Sequence, residues 1–251
     1  MNTVASILFW MFFAVTCILF FPVAVLIRAI TGLFDRRLVL LHRFTSFWAS
    51  LYTWLNPFWR VTLVKKTRID PRKPYMMISN HQSMVDIFAL FRTFFHFKWV
   101  SKSENFKFPF IGWNMRLNRY IEIDRGTTRG SVSMMRKAEA TLKEGSSVFI
   151  FPEGTRSRSG ELGSFKRGAF ELAKKLEIPI LPVVLDGSSK ALPVGSFILK
   201  GLHRIRIHVL DPIPIEKVKA LSVDELIELS REIIQTELQK MRAQLTGPMP
   251  S

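Results

Sequence analysis

The segment Val4 to Ile27 contains no charged side chain, and it constrains the fold of this chain more than any other feature. At about 1.5 Å per residue, a helix of this length reaches roughly 36 Å and can cross the hydrocarbon core of a bilayer. A cleaved signal peptide is the alternative, but no Lys or Arg precedes the segment and no small-residue cleavage site follows it. The sequence therefore predicts a retained membrane-anchoring helix.

The residues after this segment are rich in arginine, with Arg28, Arg36, Arg37 and Arg43 in a short stretch. Because positively charged flanks tend to stay on the cytoplasmic side of a membrane, the rest of the chain is expected there. The single cysteine, Cys17, cannot form an internal disulfide, which agrees with a reducing compartment.

Charge and composition narrow the choice of binding partner. Lys and Arg outnumber Asp and Glu by 36 to 20, so a nucleic acid, an anionic membrane surface or a phosphorylated substrate would each be attracted. Hydrophobic residues make up 48% of the chain, which excludes a disordered protein. A DNA-binding domain rarely carries so long an apolar segment. We therefore expect membrane lipid as a partner and no nucleic acid.

The length of 251 residues suits one catalytic domain and an additional segment. Large apolar residues recur at helical spacing from Phe44 to Leu55 and predict a second helix. This helix lies either at the membrane interface or against the soluble core, since the two amphipathic patterns are alike. We expect membrane-anchoring helices in residues 1–60 and an α/β domain in residues 61–251.

From Val61 onward, short apolar runs alternate with helical patterns, which is typical of an α/β domain built around a sheet. Strands are predicted at Tyr75–Ser79, Lys98–Val100, Tyr120–Ile123, Val148–Phe151, Ile180–Leu185 and Ile205–Leu210. Helices are predicted at Val85–Phe94, Ser131–Glu144, Phe165–Leu176 and Val223–Leu245. The predicted fold is α/β: a mixed sheet flanked by helices, with an N-terminal apolar membrane-anchoring helical segment.

The first candidate for chemistry is His81 with Asp86, which lie where the predicted strand Tyr75–Ser79 gives way to a helix. A neutral imidazole can take a proton from a hydroxyl, and a carboxylate on its other nitrogen fixes the tautomer and stabilises the imidazolium. Residues five apart in a continuous helix point about 140° from each other, so contact requires His81 to lie in the turn before the helix. The spacing alone arises often by chance, and the alternative is a hydrogen-bonded structural histidine.

The second candidate follows the predicted strand Val148–Phe151 and contains Glu153, Gly154, Thr155 and Arg156. Gly154 permits a tight backbone close to a ligand, and Arg156 offers fork-shaped donors to phosphate oxygens. Glu153 is expected to hold that arginine or to accept a hydrogen bond from a substrate hydroxyl. The alternative is a solvated loop with ordinary salt bridges.

Further cations stand at the ends of other predicted strands, with Lys102 after Lys98–Val100 and Arg125 after Tyr120–Ile123. If these strands are neighbours, their ends meet in one crevice, the usual place for a ligand in an open α/β sheet. Each of these residues alone is more often a solvated surface charge.

These segments resemble the four sequence blocks of the glycerophosphate and lysophosphatidate acyltransferase family, and the resemblance covers roughly Tyr75 to Val184. The blocks correspond to Asn80–Asp86, Tyr120–Arg125, Phe151–Arg156 and Ile178–Val183. The first and third together are highly specific. Arg119 departs from the pattern, because the second block often has a glycine there.

The resemblance implies that His81 is a general base with Asp86 as its partner, and that Arg125 binds the phosphate of the acceptor. It further implies that the third block, including Glu153 and Arg156, recognises phosphate and glycerol. The N-terminal helices resemble those of membrane-associated bacterial members, so the cell inner membrane is the expected location.

The expected reaction moves an acyl chain from a thioester donor, acyl-CoA or acyl carrier protein, to the sn-2 hydroxyl of lysophosphatidic acid. The product is phosphatidic acid, a step of phospholipid synthesis. Since a thioester is already activated, no metal or other cofactor is expected.

Three alternatives stay open. The first keeps the fold but changes the acceptor to glycerol 3-phosphate, another lysophospholipid or a lyso-aminolipid. The second is a membrane-anchored serine hydrolase, which needs a nucleophilic serine against His81, although the sequence has no Gly-x-Ser-x-Gly motif. The third is a non-catalytic binder of anionic lipid, which gives no reason for the Glu153 to Arg156 stretch.

Overall fold

The structure, a computed structural model, describes residues 2–65 and 69–246, so the end of the predicted domain 61–251 lies outside the described residues. Its strands are β1 (Trp59–Lys65), β2 (Met76–Ser79), β3 (Phe97–Lys102), β4 (Ile121–Ile123), β5 (Ser147–Ile150), β6 (Ile180–Asp186) and β7 (His203–Val209). They form a seven-stranded sheet in the order β1-β7-β6-β2-β5-β3-β4. β6 and β7 are antiparallel and the other neighbouring pairs are parallel, so the predicted mixed sheet is confirmed.

Helices cover both faces of this sheet. They are α1 (Asn2–Thr31), α2 (Val39–Trp54), α3 (Val85–Phe91), α4 (Ile111–Leu117), α5 (Thr128–Lys143), α6 (Gly168–Leu176), α7 (Ser188–Ala191), α8 (Ile215–Ala220) and α9 (Val223–Thr246). In β2, Met77 packs in the apolar cluster that includes α1, α2 and α3, whereas Met76 and Ile78 pack in the cluster that includes α5, α6 and α9. This alternation is the two-residue period of a strand with both faces buried.

The predicted strands are all present, and β1 and α4 are the main additions. β1 lies at one edge of the sheet and pairs in parallel with β7, with Trp59 opposite His203. The helix predicted at Val85–Phe94 ends earlier, at Phe91, because Phe94 has a φ of 54° and cannot continue a right-handed helix.

The two faces of α1 have different surroundings. Phe9 is buried against the rest of the protein, whereas Leu8, Leu19 and Ile30 are each 60% exposed. The segment Thr3–Thr31 is long and apolar enough to cross a membrane. The exposed face is therefore apolar, as expected for a helix that contacts lipid.

α2 forms a wall of the core. Trp48 and Tyr52 are both 2% exposed and belong to the same apolar cluster as residues of the sheet. The hydroxyl of Tyr52 lies 2.7 Å from Oγ1 of Thr16 in α1, which joins the two helices. The buried face of α2 is thus part of the core, whereas Phe47 and Trp54 are exposed. A location of this helix at the membrane interface stays a prediction.

Candidate active site

Four neighbouring parallel strands end at the same edge of the sheet, in the order β2-β5-β3-β4. β2 leads to His81, β5 leads to the loop that contains Glu153, β3 ends at Lys102 and β4 leads to Arg125. We call the side of the sheet at which the carboxyl ends of these strands lie the carboxyl edge. The opposite side, at which their amino ends lie, is the amino edge. The topology therefore places the predicted segments side by side, as a shared crevice requires.

The imidazole of His81 contacts the carboxylate of Asp86, with Nδ1 2.8 Å from Oδ2. α3 begins at Val85, so His81 lies in the turn before the helix, as a direct contact was predicted to require. The Asp86 side chain is fully buried, while that of His81 is 14% exposed. With Nδ1–H donated to Asp86, Nε2 is the nitrogen that can accept a proton from a substrate.

Backbone groups hold the Asp86 carboxylate in place. Its Oδ2 atom also accepts hydrogen bonds from the backbone N–H groups of Gln82, at 2.7 Å, and Ser83, at 2.9 Å. The preceding turn is tied to β6, because the Asn80 side chain donates to the carbonyl of Leu185 and accepts from its N–H. These contacts fix the orientation of the carboxylate and, through it, of the imidazole. Sequence analysis included Asn80 in a block but gave it no role.

The loop after β5 is fastened to His81 at three points. The Phe151 ring stacks on the imidazole, with 3.9 Å between ring centroids and an interplanar angle of 10°. The backbone N–H of His81 donates to Oε1 of Glu153 at 2.9 Å, and the N–H of Ser157 donates to the carbonyl of His81 at 2.8 Å. The two segments predicted to carry chemistry therefore form one unit.

Glu153 joins this unit to the far end of its own loop. Its second oxygen, Oε2, accepts the backbone N–H of Gly163 at 2.9 Å. Burial raises the pKa of this carboxyl, and the two backbone hydrogen bonds oppose the rise. The structure thus gives Glu153 a positioning contact that the sequence did not reveal. Its predicted roles, holding Arg156 or accepting from a substrate hydroxyl, stay predictions.

Gly154 occupies a position that other residues would strain. Its φ is 72°, and an added Cβ would lie 2.8 Å from Cε of Lys166. The expectation of a tight backbone at this glycine is met. The same contact places the side chain of Lys166 beside Gly154.

The remaining predicted residues supply positive charge and polar groups around the crevice. Partial burial lowers the pKa of Arg125, and the neighbouring charges of Glu104 and Arg156 act on it in opposite directions, so Arg125 and Arg156 lie within electrostatic reach. Lys102 and Thr155 are exposed. The carboxyl edge thus offers donors to an anion. In the described part of the chain, no group of three or more His, Cys, Asp or Glu side chains is placed to hold a metal ion.

α9 holds the loop from outside the predicted site. Arg242 donates from Nη1 to Oε1 of Glu161 at 2.9 Å and from Nη2 to the carbonyl of Gly160. Its Nε lies 3.5 Å from Oδ1 of Asp186, the last residue of β6. Sequence reasoning missed Arg242, because 81 positions separate it from Glu161 and no local pattern joins them.

Comparison with known proteins finds a matching family model and several relatives. Residues 60–186 match the family model described as Acyltransferase. The chain is 33% identical over 233 residues to a 1-acyl-sn-glycerol-3-phosphate acyltransferase of Chlamydomonas reinhardtii, a match that covers 91% of this chain and 68% of that protein. It is 37% identical over 166 residues to the 1-acyl-sn-glycerol-3-phosphate acyltransferase of Saccharomyces cerevisiae, covering 64% of this chain and 54% of that protein.

A solved structure has the same fold. The 1-acyl-sn-glycerophosphate (LPA) acyltransferase PlsC from Thermotoga maritima matches with a TM-score of 0.80 over 96% of each chain, at 21% identity. The region that matches the family model contains His81, Asp86, Arg125 and Arg156. The chain spans about half to two thirds of the length of the curated relatives it matches.

Proposed function

The chain belongs to the acyltransferase family, and from this premise we propose that it transfers an acyl chain from a thioester to the sn-2 hydroxyl of lysophosphatidic acid. The product is phosphatidic acid, and the reaction is a step of phospholipid synthesis. The observation that carries the proposal is the 2.8 Å contact between His81 and Asp86 at the carboxyl edge, to which the strands that precede Arg125 and Arg156 also lead. The relatives named for this reaction support the choice of acceptor.

His81 acts as the general base in the proposed reaction. Its Nε2 takes the hydroxyl proton as the hydroxyl oxygen attacks the thioester carbonyl and a C–O bond forms. The tetrahedral intermediate collapses as the C–S bond breaks, and the proton passes from His81 to the leaving thiolate. Asp86 stabilises the imidazolium, and its contacts with two backbone N–H groups keep it in position. The route involves no acyl-enzyme, because the thioester is already activated.

Arg125 and Arg156 hold the phosphate of the acceptor. A guanidinium offers planar, paired donors that match phosphate oxygens, so two of them fix the orientation as well as the position of the acceptor. Lys102 and Lys166 add charge at the same edge. Gly154 and Thr155 lie where the glycerol unit approaches, and the glycine allows a close contact with the backbone.

The acyl chains of donor and acceptor need apolar surroundings. A cavity of about 480 Å³ lies between α1 and α2, with Phe9, Phe12, Tyr52 and Phe58 in its lining. Tyr52 packs on Phe88 of α3 with 5.0 Å between ring centroids, which connects the cavity wall to the helix that carries Asp86. We assign an acyl chain to this cavity. Acyl-CoA and acyl carrier protein both present the required thioester, and the reaction needs no metal or other cofactor.

The proposed location is the cytoplasmic side of the cell inner membrane. α1 packs against the domain from Phe9 to Ala24, while its opposite face is apolar and exposed. A helix held along its length in this way can place its exposed face in one leaflet and keep the carboxyl edge beside the lipid surface. The arginines that follow the helix favour the cytoplasmic side.

The proposal is tested by assaying purified protein in detergent against a panel of acceptors with both acyl-CoA and acyl carrier protein donors. The panel contains lysophosphatidic acid, glycerol 3-phosphate, other lysophospholipids and a lyso-aminolipid. We expect the highest kcat/KM with lysophosphatidic acid and a product that is phosphatidic acid by mass spectrometry. A higher kcat/KM with any other acceptor would overturn the proposed substrate.

A fluorophosphonate probe separates transferase from serine hydrolase. In residues 2–65 and 69–246, no serine hydroxyl hydrogen-bonds to the imidazole of His81, and Ser83 Oγ donates to the carbonyl of Leu192. We expect no labelling while thioester is consumed. Labelling that is abolished by a serine substitution would favour the hydrolase.

A further inference from the structure

A second concave site lies at the amino edge of the sheet and has a volume of about 290 Å³. Five cationic side chains line it: Arg36, Arg37, Lys98, Arg119 and Lys137. Among the described residues of the lining, Glu144 is the single carboxylate. We call this site the amino-edge cavity. Its excess of positive charge attracts an anion.

The amino-edge cavity is separate from the catalytic crevice. Lys98 lies near the start of β3, whereas Lys102, the last residue of that strand, lies at the carboxyl edge. Four residues of a strand span roughly 13 Å. Ser146, also in the lining, immediately precedes β5 and so marks the same amino edge. A ligand in this cavity is therefore distinct from an acceptor held by Arg125 and Arg156.

Lys98 is the strongest sign that the cavity takes a ligand. The residue is 4% exposed, and its ammonium nitrogen has no hydrogen-bond partner in the described part of the chain. A buried, unpaired ammonium is costly, and protein structures tend to avoid it. Burial, and after it the charge of Arg119, lowers the pKa of Lys98 to about 7. An anion in the cavity would supply the missing acceptor and favour the charged form.

Arg119 faces the cavity from a backbone position that favours glycine. Its φ is 55°, in the left-handed region where a side chain is disfavoured. The next residue, Tyr120, is anchored in the core, with its hydroxyl 2.9 Å from Nδ1 of buried His42. Strained positions persist where the surrounding structure fixes them, and they concentrate at binding sites. An arginine at this position is thus expected to bind an anion.

The surroundings of the cavity indicate the source of the anion. Leu33 and Phe34 are 91% and 69% exposed in the turn between α1 and α2, which continues through Asp35 to the two arginines of the lining. Arg37 donates from Nη1 to the carbonyl of Gly145 at 2.9 Å, which fastens this turn to the cavity wall. An apolar tip beside a ring of cations suits the boundary between acyl chains and headgroups of a membrane.

We infer that the amino-edge cavity binds the phosphate group of an anionic phospholipid in the membrane beside α1. Arg36, Arg119 and Lys137 donate to the phosphate oxygens at the mouth, and Lys98 is the innermost donor. The glycerol and acyl chains stay outside, next to Leu33 and Phe34. The inference rests on the membrane location proposed above but not on the proposed reaction. It adds a second lipid-binding site to the one at which acyl transfer occurs.

The test is calorimetric titration of the full chain in non-ionic detergent with dihexanoyl phosphatidylglycerol, without an acyl donor. The matched controls are inorganic phosphate, which has the anion without the lipid, and dihexanoyl phosphatidylcholine, which has the lipid without net charge. The pair Arg36→Gln with Lys137→Gln removes two exposed charges of the cavity. The pair Lys217→Gln with Lys240→Gln removes two exposed charges elsewhere. Lys98→Met removes the innermost donor, and thermal unfolding checks that each variant is folded.

We expect the cavity pair to weaken phosphatidylglycerol binding by about tenfold or more, since each charge-assisted donor contributes a sizeable part of the affinity. The control pair should stay within about twofold. Lys98→Met should also weaken binding, whereas Arg125→Gln with Arg156→Gln should leave it unchanged. We also expect weak or absent binding of inorganic phosphate and of phosphatidylcholine, which would show that the site requires both the charge and the lipid.

Four results would overturn the inference. If the folded variant Arg36→Gln with Lys137→Gln bound phosphatidylglycerol with wild-type affinity, the cavity would be excluded as the binding site. If the variant Lys217→Gln with Lys240→Gln lost as much affinity, the binding would be a general electrostatic attraction. Loss of binding in the Arg125 and Arg156 variant would place the lipid in the catalytic crevice. Inorganic phosphate that binds as tightly as the lipid would identify a free anion as the ligand.

Discussion

The two edges of the sheet hold their polar groups in different ways. At the carboxyl edge, His81 is bonded to Asp86 through its ring and to Glu153 through its backbone N–H, and further backbone groups hold both carboxylates. At the amino edge, the ammonium group of Lys98 has no hydrogen-bond partner among the described residues, although it is buried. The same sheet thus carries one prearranged cluster and one unsatisfied donor.

The roles that we propose for the two edges account for this difference. A catalytic group gains from being fixed in advance, because the transition state then requires little reorganisation. A binding cavity gains from an unsatisfied donor, because the ligand supplies the missing acceptor. Substitutions at the carboxyl edge should therefore change rates and acceptor binding. Those at the amino edge should change stability and lipid binding while leaving the chemical step intact.

The largest of the following effects is expected from Asp86→Asn. The neutral side chain cannot stabilise an imidazolium, and it can leave His81 in the wrong tautomer, so kcat should fall by about 10³-fold or more. The measurement is kcat at saturating donor and acceptor over a range of pH, with folding checked by thermal unfolding. A folded variant with kcat within about tenfold of wild type would mean that the carboxyl edge is not organised around this pair.

Arg125→Gln and Arg156→Gln should act on acceptor binding. Each variant should raise the KM for lysophosphatidic acid by about 10- to 100-fold, because a charged donor to phosphate is lost. The KM for a monoacylglycerol, which lacks the phosphate, should not change. Arg129→Gln, an exposed arginine of α5, is the matched control. Equal effects on both acceptors would show that the arginines support the loop rather than hold the phosphate.

Glu153→Gln distinguishes the effect of Glu153 on the position of His81 from its effect on the stability of the protein. Burial raises the pKa of Glu153, so the folded state binds its proton more tightly than the unfolded state does, and the ionised form costs stability at neutral pH. The neutral variant avoids this cost but leaves a backbone N–H without its acceptor, so the two effects oppose each other and the melting temperature at pH 7 should change by only a few degrees. The variant should also have kcat reduced by about tenfold, because one of the N–H groups of His81 and Gly163 loses its acceptor. A wild-type kcat in this variant would show that Glu153 does not help to position His81.

Lys98→Met should have the smallest effect on the reaction and a visible effect on stability. The folded pKa of about 7 lies below the usual value of 10.5, so the unfolded state binds more protons between these values and wild-type stability should rise with pH there. Arg119 and Arg28 lower the pKa, and Asp35 and Glu144 raise it. Lys98→Met should flatten this rise.

The measurement is the melting temperature from pH 7 to 10 in phosphate-free detergent without anionic lipid, with kcat measured in parallel. Wild type should gain a few degrees that the variant does not gain. The same pH dependence in both proteins would show that Lys98 is not the buried, unpaired donor that distinguishes the amino edge.

Much of the carboxyl edge could be predicted from the sequence because its groups follow apolar strands directly. The strand ends before His81 and Glu153 are marked by local patterns, and parallel strands bring such ends together. The sequence could not show that Glu153 joins His81 to Gly163, since this depends on the path of the loop in space. Arg242 was missed for the same reason.

The parts that were not predicted depend on distant pairings. β1 was not predicted, because it is half-exposed at the sheet edge and its partner β7 is far away in the sequence. The amino-edge cavity collects cations from separate segments, and Arg36, Lys98 and Lys137 each resemble an ordinary surface charge in the sequence. Local periodicity contains no information about which distant segments come together in space.

The most direct test of the central claim is the rate of phosphatidic acid formation by His81→Ala, measured in a single turnover with lysophosphatidic acid and a radiolabelled thioester. The protein must be folded and membrane-bound, and lysophosphatidic acid binding must be retained. We predict a rate at least about 10³-fold below wild type, because the base that removes the hydroxyl proton is missing. Near-wild-type formation of phosphatidic acid by this variant would contradict the account.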